Sequence, residues 1–374
     1  MDFYFVVTAP GLEPFTSQEL SALELGPVSE PGGITFKGDL AALYRANLHL
    51  RTASRILARV GNFFYATSFP ELEKRASRLP WERFLTPGQP VSMRVTCHNS
   101  KLYHSEAVRR NILAGLVERL GQPSPLLPPN TQTDDHPPQL IVVRLSDDQC
   151  TISVNSSGEL LHKRGYRQAV AKAPLRETLA AALLMASGWD KFGPLLDPFC
   201  GSGTIPIEAA LLALDIPAGL QHRFAFMDWP NYDEQLWHSI KDQIRPHTSN
   251  SQPAILGSDR DAGAVKMAIE NAERAGVEKS IEFKCQAVSS ITPPPGPGWV
   301  VTNPPYGLRI GEGKDLRNLY AQLGNVLRLH CPDWQVAVLC NDPVLLGQMH
   351  MELDTSLGFV NGGIGVRVAR GKVG

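Results

Sequence analysis

Apolar and polar residues alternate in "FYFVVTA" near the start of the chain, and the alternation stops at Pro10-Gly11. That pattern predicts a strand and its breaker. "LEPFTSQELSAL" has helical spacing, and "GGITFKG" predicts a short strand between glycines. "DLAALYRANLHLRTASRILARV" reads as one long helix behind an Asp cap. Residues 1–65 are therefore expected to run strand, helix, strand, helix. A second unit follows, with "QPVSMRVTC" as a strand and "SEAVRRNILAGLVERL" as a helix carrying Arg109 and Arg110 on one flank. The proline-rich "GQPSPLLPPNTQTDDHPPQ" suits a loop, since it fits neither helix nor central strand. "LIVVRLSDDQCTISVNSSG" predicts a strand pair around an Asp-Asp turn. Small sheets covered by helices make this half α+β.

After Gly165 the rhythm changes. "APLRETLAAALLMASGW" predicts a helix with Pro174 in its first turn and Gly188 at its end. "GPLLDPFCGSGTIPIEAALLAL" then reads strand, glycine turn, helix, and "PAILGSDRDAGAVKMAIENAERAG" repeats that order. "GWVVTNPPYG" and "DWQVAVLCND" supply two more buried strands, and "GFVNGGIGVRVARG" a closing hairpin. Alternating strand and helix predicts a parallel, doubly wound α/β sheet that binds its ligand at the carboxyl ends of its strands. Residues 215–253 interrupt it with Phe224, Phe226, Trp229, Tyr232 and Trp237, an excursion expected to cover one face of that sheet. The domain boundary is expected near residues 160–170.

Composition changes this picture little. With 43% apolar and 20% charged residues the chain has the profile of a soluble globular protein. Its six cysteines are scattered without metal spacing, which points to reduced thiols, no metal and a cytoplasmic protein. No signal peptide or bilayer-length apolar run is read. Net charge is −1, yet nine Lys/Arg face three acids between Lys74 and Arg119, and Leu161 to Arg176 holds five bases and no acid. Such local basic faces suit a phosphate backbone whatever the total charge.

Three constellations carry candidate chemistry. In "LLDPFCGSGT" a strand ends at Asp197 and turns through Cys200, Gly201, Ser202, Gly203 and Thr204 into a helix. Glycines there admit a ligand close to the backbone, and the helix start offers free N–H groups. The absent third glycine weakens a dinucleotide motif, and no Walker lysine follows, so a compact cofactor with carboxylate and amine is favoured. "GSDRD" ends the next strand, placing Asp259 and Arg260 where an acid accepts ribose hydroxyls. "VVTNPPYGLR" puts Asn303, Pro304, Pro305 and Tyr306 at the end of a further strand. The Asn303 oxygen and the Pro304 carbonyl suit two acceptors for one exocyclic amino group, held rigid by proline, with Tyr306 stacking on the base.

These motifs resemble an S-adenosylmethionine-dependent methyltransferase acting on a planar amino nitrogen. With "TAPGLEPFTSQEL", "VNSSGELLHKRGYR" and "HKRGYRQAVAKAPLRETLAAALLMASGW" they look like the THUMP-containing RNA guanine-N(2)-methyltransferases, nearest the bacterial 23S rRNA branch. The resemblance implies a ferredoxin-like subdomain over 1–65, a THUMP RNA-binding domain over 66–162 and a Rossmann-like methyltransferase domain over 163–374. It implies that Asp197 to Thr204 line the cofactor, that Asp259 holds its ribose and that Pro174 and Thr178 close over its methionine end. The family's acid for the adenine amino group falls at Ala287, so Gln286 is the candidate substitute. Arg109, Arg110, Lys163, Arg164, Arg167 and Arg309 are the bases expected to meet RNA, either rRNA or tRNA. The same Asn-Pro-Pro-Tyr motif serves DNA adenine and protein glutamine methylation, and an RNA-binding assembly factor with a degenerate fold is the alternative of another class.

Overall fold

The computed structural model describes the chain except residues 129–130, 132–136, 168–174, 246–251, 307–315 and 362. Its N-terminal half is built on β1 (Asp2–Thr8), β2 (Val28–Glu30), β3 (Gly33–Gly38), β4 (Ala53–Arg59), β5 (Phe64–Tyr65), β6 (Val91–His98), β7 (Gln139–Ser146) and β8 (Gln149–Asn155). Helices α1 (Glu13–Ala22), α2 (Leu40–His49), α3 (Phe69–Ala76) and α4 (Ser105–Leu120) accompany them. The strands form one sheet in the order β2-β3-β1-β4-β8-β7-β6, with β5 pairing β8. The two N-terminal units read from the sequence thus share a sheet, joined where Leu57, Ala58 and Arg59 of β4 pair with Asn155, Val154 and Ser153 of β8. The Asp147-Asp148 turn forms as expected. Both residues have positive φ, 53° and 63°, which matches the twist of a two-residue hairpin.

The long helix expected from Asp39 to Val60 is instead a helix and a strand. Asp39 caps α2 by accepting from the Ala42 N–H at 2.9 Å, but the chain turns extended at Leu50. The cause is Glu19 of α1. Its carboxylate takes the Arg51 N–H at 2.7 Å, the Thr52 N–H at 3.0 Å and the Thr52 hydroxyl at 2.5 Å, so those donors leave the helix. β4 then fills the slot between β1 and β8, a tertiary gain that local spacing does not reveal.

The C-terminal half contains α5 (Glu177–Ala186), β9 (Leu195–Asp197), α6 (Thr204–Ala213), α7 (Glu234–Asp242), β10 (Ile255–Asp259), α8 (Ala262–Ala275) and β11 (Ile281–Cys285). β12 (Trp299–Thr302), α9 (Arg317–His330), β13 (Gln335–Cys340), α10 (Pro343–Gly347), β14 (Asp354–Asn361) and β15 (Ile364–Lys372) complete it. The sheet order is β11-β10-β9-β12-β13-β15-β14. β9 to β13 run parallel, and the terminal hairpin adds β15 antiparallel to β13. This is the doubly wound sheet the alternating pattern predicts, with an antiparallel edge.

The aromatic excursion departs from its expected place. Phe224, Phe226, Trp229 and Trp237 belong to the core of the N-terminal half rather than to a face of the C-terminal sheet. Phe226 stacks on Tyr44 of α2 at 4.4 Å and on Phe224 at 5.1 Å, and Trp237 meets it edge-on at 5.5 Å. Backbone bonds fasten the excursion from Gly219 N–H to Leu48 O (2.8 Å) and from Phe226 N–H to Ser156 O (3.0 Å). Arg51 returns the grip, donating to Ile216 O at 2.5 Å. On another side Leu12 sits in the C-terminal core, and Phe15 meets Phe359 edge-on at 5.9 Å.

The two halves are therefore clasped by buried aromatics, not merely tethered. Phe226→Ala should lower unfolding stability by about 3–5 kcal/mol, the usual loss for emptying a buried aromatic site. Urea unfolding followed by fluorescence checks this, and a loss below about 1 kcal/mol would mean that the excursion is not part of the N-terminal core.

Candidate active site

Strand order in the C-terminal sheet reverses between β9 and β12, because the chain builds outward through β10 and β11 before returning. Helices diverge at such a point and leave a crevice above the carboxyl ends of the strands. Asp197 ends β9 and Thr302 ends β12. The Thr302 hydroxyl donates to Asp197 Oδ1 at 2.6 Å, and the Phe199 N–H adds a second bond to the same oxygen at 3.2 Å. Asp197 is only 1% exposed, and burial pushes its carboxyl up to about 7 against the pull of those two donors.

The two glycines of the turn do different work. Both have positive φ, 52° at Gly201 and 84° at Gly203. A Cβ at Gly201 would meet nothing within 4 Å, so the turn leaves room there for a ligand. A Cβ at Gly203 would lie 2.9 Å from the Ala268 Cβ and 3.2 Å from Phe283 Cζ, so that glycine serves the packing of α8 and β11. Asp259 braces the turn through Oδ2, which accepts the Gly201 N–H at 3.0 Å, while Oδ1 takes the Asp261 N–H at 3.0 Å. Each oxygen keeps a lone pair for a hydroxyl. Cys200 is buried, its thiol pushed well up by burial, and its N–H donates to Ser258 O at 2.9 Å. Gln286 lies beside the same strand end, its N–H on Asp259 O at 2.9 Å, with Arg260 and Ala287 exposed nearby.

At the end of β12, Asn303 is half-buried, and its Oδ1 is buried with no hydrogen-bond partner among the described residues. Buried acceptors are normally paired, so this one is built to receive an N–H donor. Pro304 follows, buried, and the Pro305 carbonyl accepts the Tyr320 hydroxyl at 3.4 Å, pinning the turn from α9. Tyr306 departs from expectation. It is 2% exposed and packs in the C-terminal core, so its ring stiffens the turn instead of standing out as a platform for a base.

Two of the arginines expected on RNA are internal. Arg164 has a side chain 2% exposed that faces fully buried Glu208 at 3.5 Å and donates to Leu161 O and Arg51 O. A buried cation paired in this way is not presented to a phosphate; it ties the halves together. Arg167 donates to Thr204 Oγ1 at 2.7 Å and Leu175 O at 3.0 Å, and pairs with Glu177 at 3.2 Å. It thereby anchors the start of α6 to the foot of α5, where Thr178 is buried. Lys163 and Arg109 pair with Glu159 and Glu106 at the surface, and Arg110 is exposed. Pro174 and Arg309 lie outside the described residues.

Thr302 and Asn271 were missed in the sequence. Asn271 is 1% exposed and its Nδ2 donates to Ser202 O at 3.0 Å, holding the glycine turn against α8. Its signal was a polar residue on the apolar stripe of Val265, Ala268, Ala272 and Ala275. Among the described residues no group of three or more His, Cys, Asp or Glu side chains is arranged to hold a metal, and no helix is long and apolar enough to cross a membrane.

Residues 164–369 match the family model described as an RMKL-like methyltransferase domain, residues 4–57 an RlmL ferredoxin-like domain and residues 66–155 a THUMP domain. The chain is 33% identical over 365 residues to a putative RNA methyltransferase, slr0064, of Synechocystis, covering 96% of this chain and 94% of that one. It is 34% identical to the ribosomal RNA large subunit methyltransferase K/L of Syntrophotalea carbinolica, but 97% of this chain spans only 53% of that protein. The chain thus spans about half the length of the K/L relatives it matches. Among solved structures, SMU.472, a putative methyltransferase complexed with SAH, superposes with a TM-score of 0.86 at 29% identity, covering 99% of this chain and 97% of that one. The chain belongs to the RMKL-like methyltransferase family, with ferredoxin-like and THUMP domains ahead of the methyltransferase domain.

Proposed function

We propose that this protein transfers a methyl group from S-adenosylmethionine to the exocyclic amino group of a guanine in RNA, with 23S rRNA as the substrate. The observation that carries this is the orphaned acceptor of Asn303, set at the end of β12 beside the Asp197 turn. An acceptor with no donor among the described residues, next to a crevice with room at Gly201, fits an amino group brought to a small cofactor. The relatives named for ribosomal RNA support the choice of nucleic acid.

When bound, S-adenosylmethionine supplies an electrophilic methyl group. Asn303 Oδ1 and the Pro304 carbonyl accept the two N–H groups of the amino nitrogen, which turns its lone pair out of conjugation with the ring. Because both acceptors are fixed before the substrate arrives, little reorganisation is needed at the moment of transfer. Asp197, ionised, offers Oδ2 to the cofactor's ammonium. Asp259 directs its remaining lone pairs to the ribose hydroxyls. No side chain at the site would need to act as a strong base, because the amino nitrogen would take the methyl as the sulfonium sulfur kept the bonding pair and left as a neutral thioether, and the extra proton would pass to water.

Two outcomes follow. Asn303→Ala should leave cofactor and RNA affinity nearly intact while single-turnover methyl transfer falls roughly a hundredfold to a thousandfold, the scale for deleting one preorganised group. Transfer at the wild-type rate would show Asn-Pro-Pro-Tyr to be only a turn. The second outcome concerns pH. Because burial holds Asp197 near 7, cofactor affinity measured by calorimetry should weaken as pH falls from 7 to 5, approaching tenfold per unit, and level off above about 8. Asp197→Asn should bind weakly at pH 8 and lose that slope. An unchanged slope in this variant would remove Asp197 from the cofactor site.

A further inference from the structure

In the N-terminal sheet, Tyr4, Val6, Ile56, Ala58, Ile141, Val143, Ile152 and Val154 point into the core. The alternate residues face the other way, because successive side chains of a strand take opposite sides. Registers align Arg59 with Ser153, Ser153 with Val142, and Val142 with Arg94 across four strands, and Thr151 aligns with Arg144 in the next row. A cavity of about 430 Å³ opens on this face, with Phe5, Arg59, Phe63, Arg144, Thr151 and Ser153 among its walls.

We propose that this open sheet face, and not α4 or the strap around Lys163, is where the protein holds a single-stranded segment of RNA. The proposal rests on the RNA reading above and adds the surface and the form of RNA it takes. Three observations carry it. First, Arg55, Arg94 and Arg144 have no carboxylate partner among the described residues, and Arg55 and Arg94 oppose one another as like charges. Unpaired cations gathered on one face suit a polyanion. The acids nearby are engaged: Glu30 pairs with Arg59 at 2.9 Å, Asp148 takes the Lys101 N–H at 2.7 Å, and Asp147 accepts from Asn99.

Second, Phe63 and Tyr65 stand on the rim 51% and 58% exposed, edge to face at 6.2 Å. Large exposed aromatics interleaved with arginine are the equipment for stacking unpaired bases while the backbone is neutralised. Third, Thr151, Ser153 and Gln149 add hydroxyl and amide groups between the cations, suited to 2′-hydroxyls and base edges. An open sheet reads splayed bases, whereas an A-form helix offers a side-chain platform only its shallow groove and backbone. The face also spans both N-terminal units, which explains why they share one sheet.

The test uses the full chain and a short fluorescein-labelled single-stranded oligoribonucleotide, followed by anisotropy over a range of salt, with its duplex as competitor. Arg94→Ala with Arg144→Ala should weaken binding about tenfold or more and flatten the salt slope by roughly one to two units. Phe63→Ala should cost roughly fivefold to a hundredfold, the effect of losing a stacked base, with little change of slope. Both variants should keep wild-type cofactor affinity, which confirms their fold. The proposal is overturned if the double variant binds with unaltered affinity and slope, or if duplex competes as well as single strand. If the variants lose the oligoribonucleotide but the wild type never methylates guanine, the surface stands and the proposed activity falls. If the wild type methylates guanine while both variants bind normally, the activity stands and the surface falls.

Discussion

The 2.6 Å hydrogen bond from Thr302 to Asp197 is the contact on which the candidate active site depends. It crosses the point where strand order reverses, joining the strand that leads to the glycine turn with the strand that leads to Asn303. Without it the two strand ends would still pair through Trp299 and Val300. Their terminal side chains would not be held in one fixed relation. The cost is a carboxyl kept in the interior and pushed up to about 7, which the fold tolerates because two donors face it. Beside that acid, the Asn303 Oδ1 is a buried acceptor with no partner among the described residues, an arrangement suited to a bound donor.

Around that pair the structure is braced in layers. Asp259 and Asn271 hold the glycine turn from α8's side, and Arg167 holds the start of α6 from the linker. Arg164 and Arg51, both buried, continue the chain of contacts into the N-terminal half through Glu208, Leu161 and Ile216. The aromatic excursion closes the same joint from the other direction. The N-terminal sheet is thereby fixed to the methyltransferase domain by interior groups, so the RNA proposed to lie on one half would be presented to the other in a defined position.

Much of this was legible in the sequence because the relevant signals are local. The alternation of strand and helix after Gly165, the turn at Asp197 to Thr204, and the proline-held exit at Asn303 each announce themselves within a dozen residues. What stayed hidden depends on partners far along the chain. "RTASRIL" has helical spacing, and only Glu19 and the vacancy between β1 and β8 make it turn and strand. Arg164 and Arg167 sit in a run without acids and so look like a phosphate-binding strip, yet their carboxylates, Glu208 and Glu177, arrive from later helices. Tyr306 belongs to a motif that suggests stacking, but its ring is buried in the C-terminal core. The basic sheet face was invisible for the same reason: Arg59, Arg94 and Arg144 are dispersed in sequence and come to one face only through strand register.

Asn303 and the Asp197 turn are proposed to bring a guanine amino group to a methyl donor. The most direct measurement is to incubate the protein with unmodified 23S rRNA and labelled S-adenosylmethionine, digest the RNA to nucleosides and identify the labelled product by mass spectrometry. N2-methylguanosine is the labelled nucleoside expected. Label in N6-methyladenosine, or in no nucleoside while the protein binds both cofactor and RNA, would contradict it.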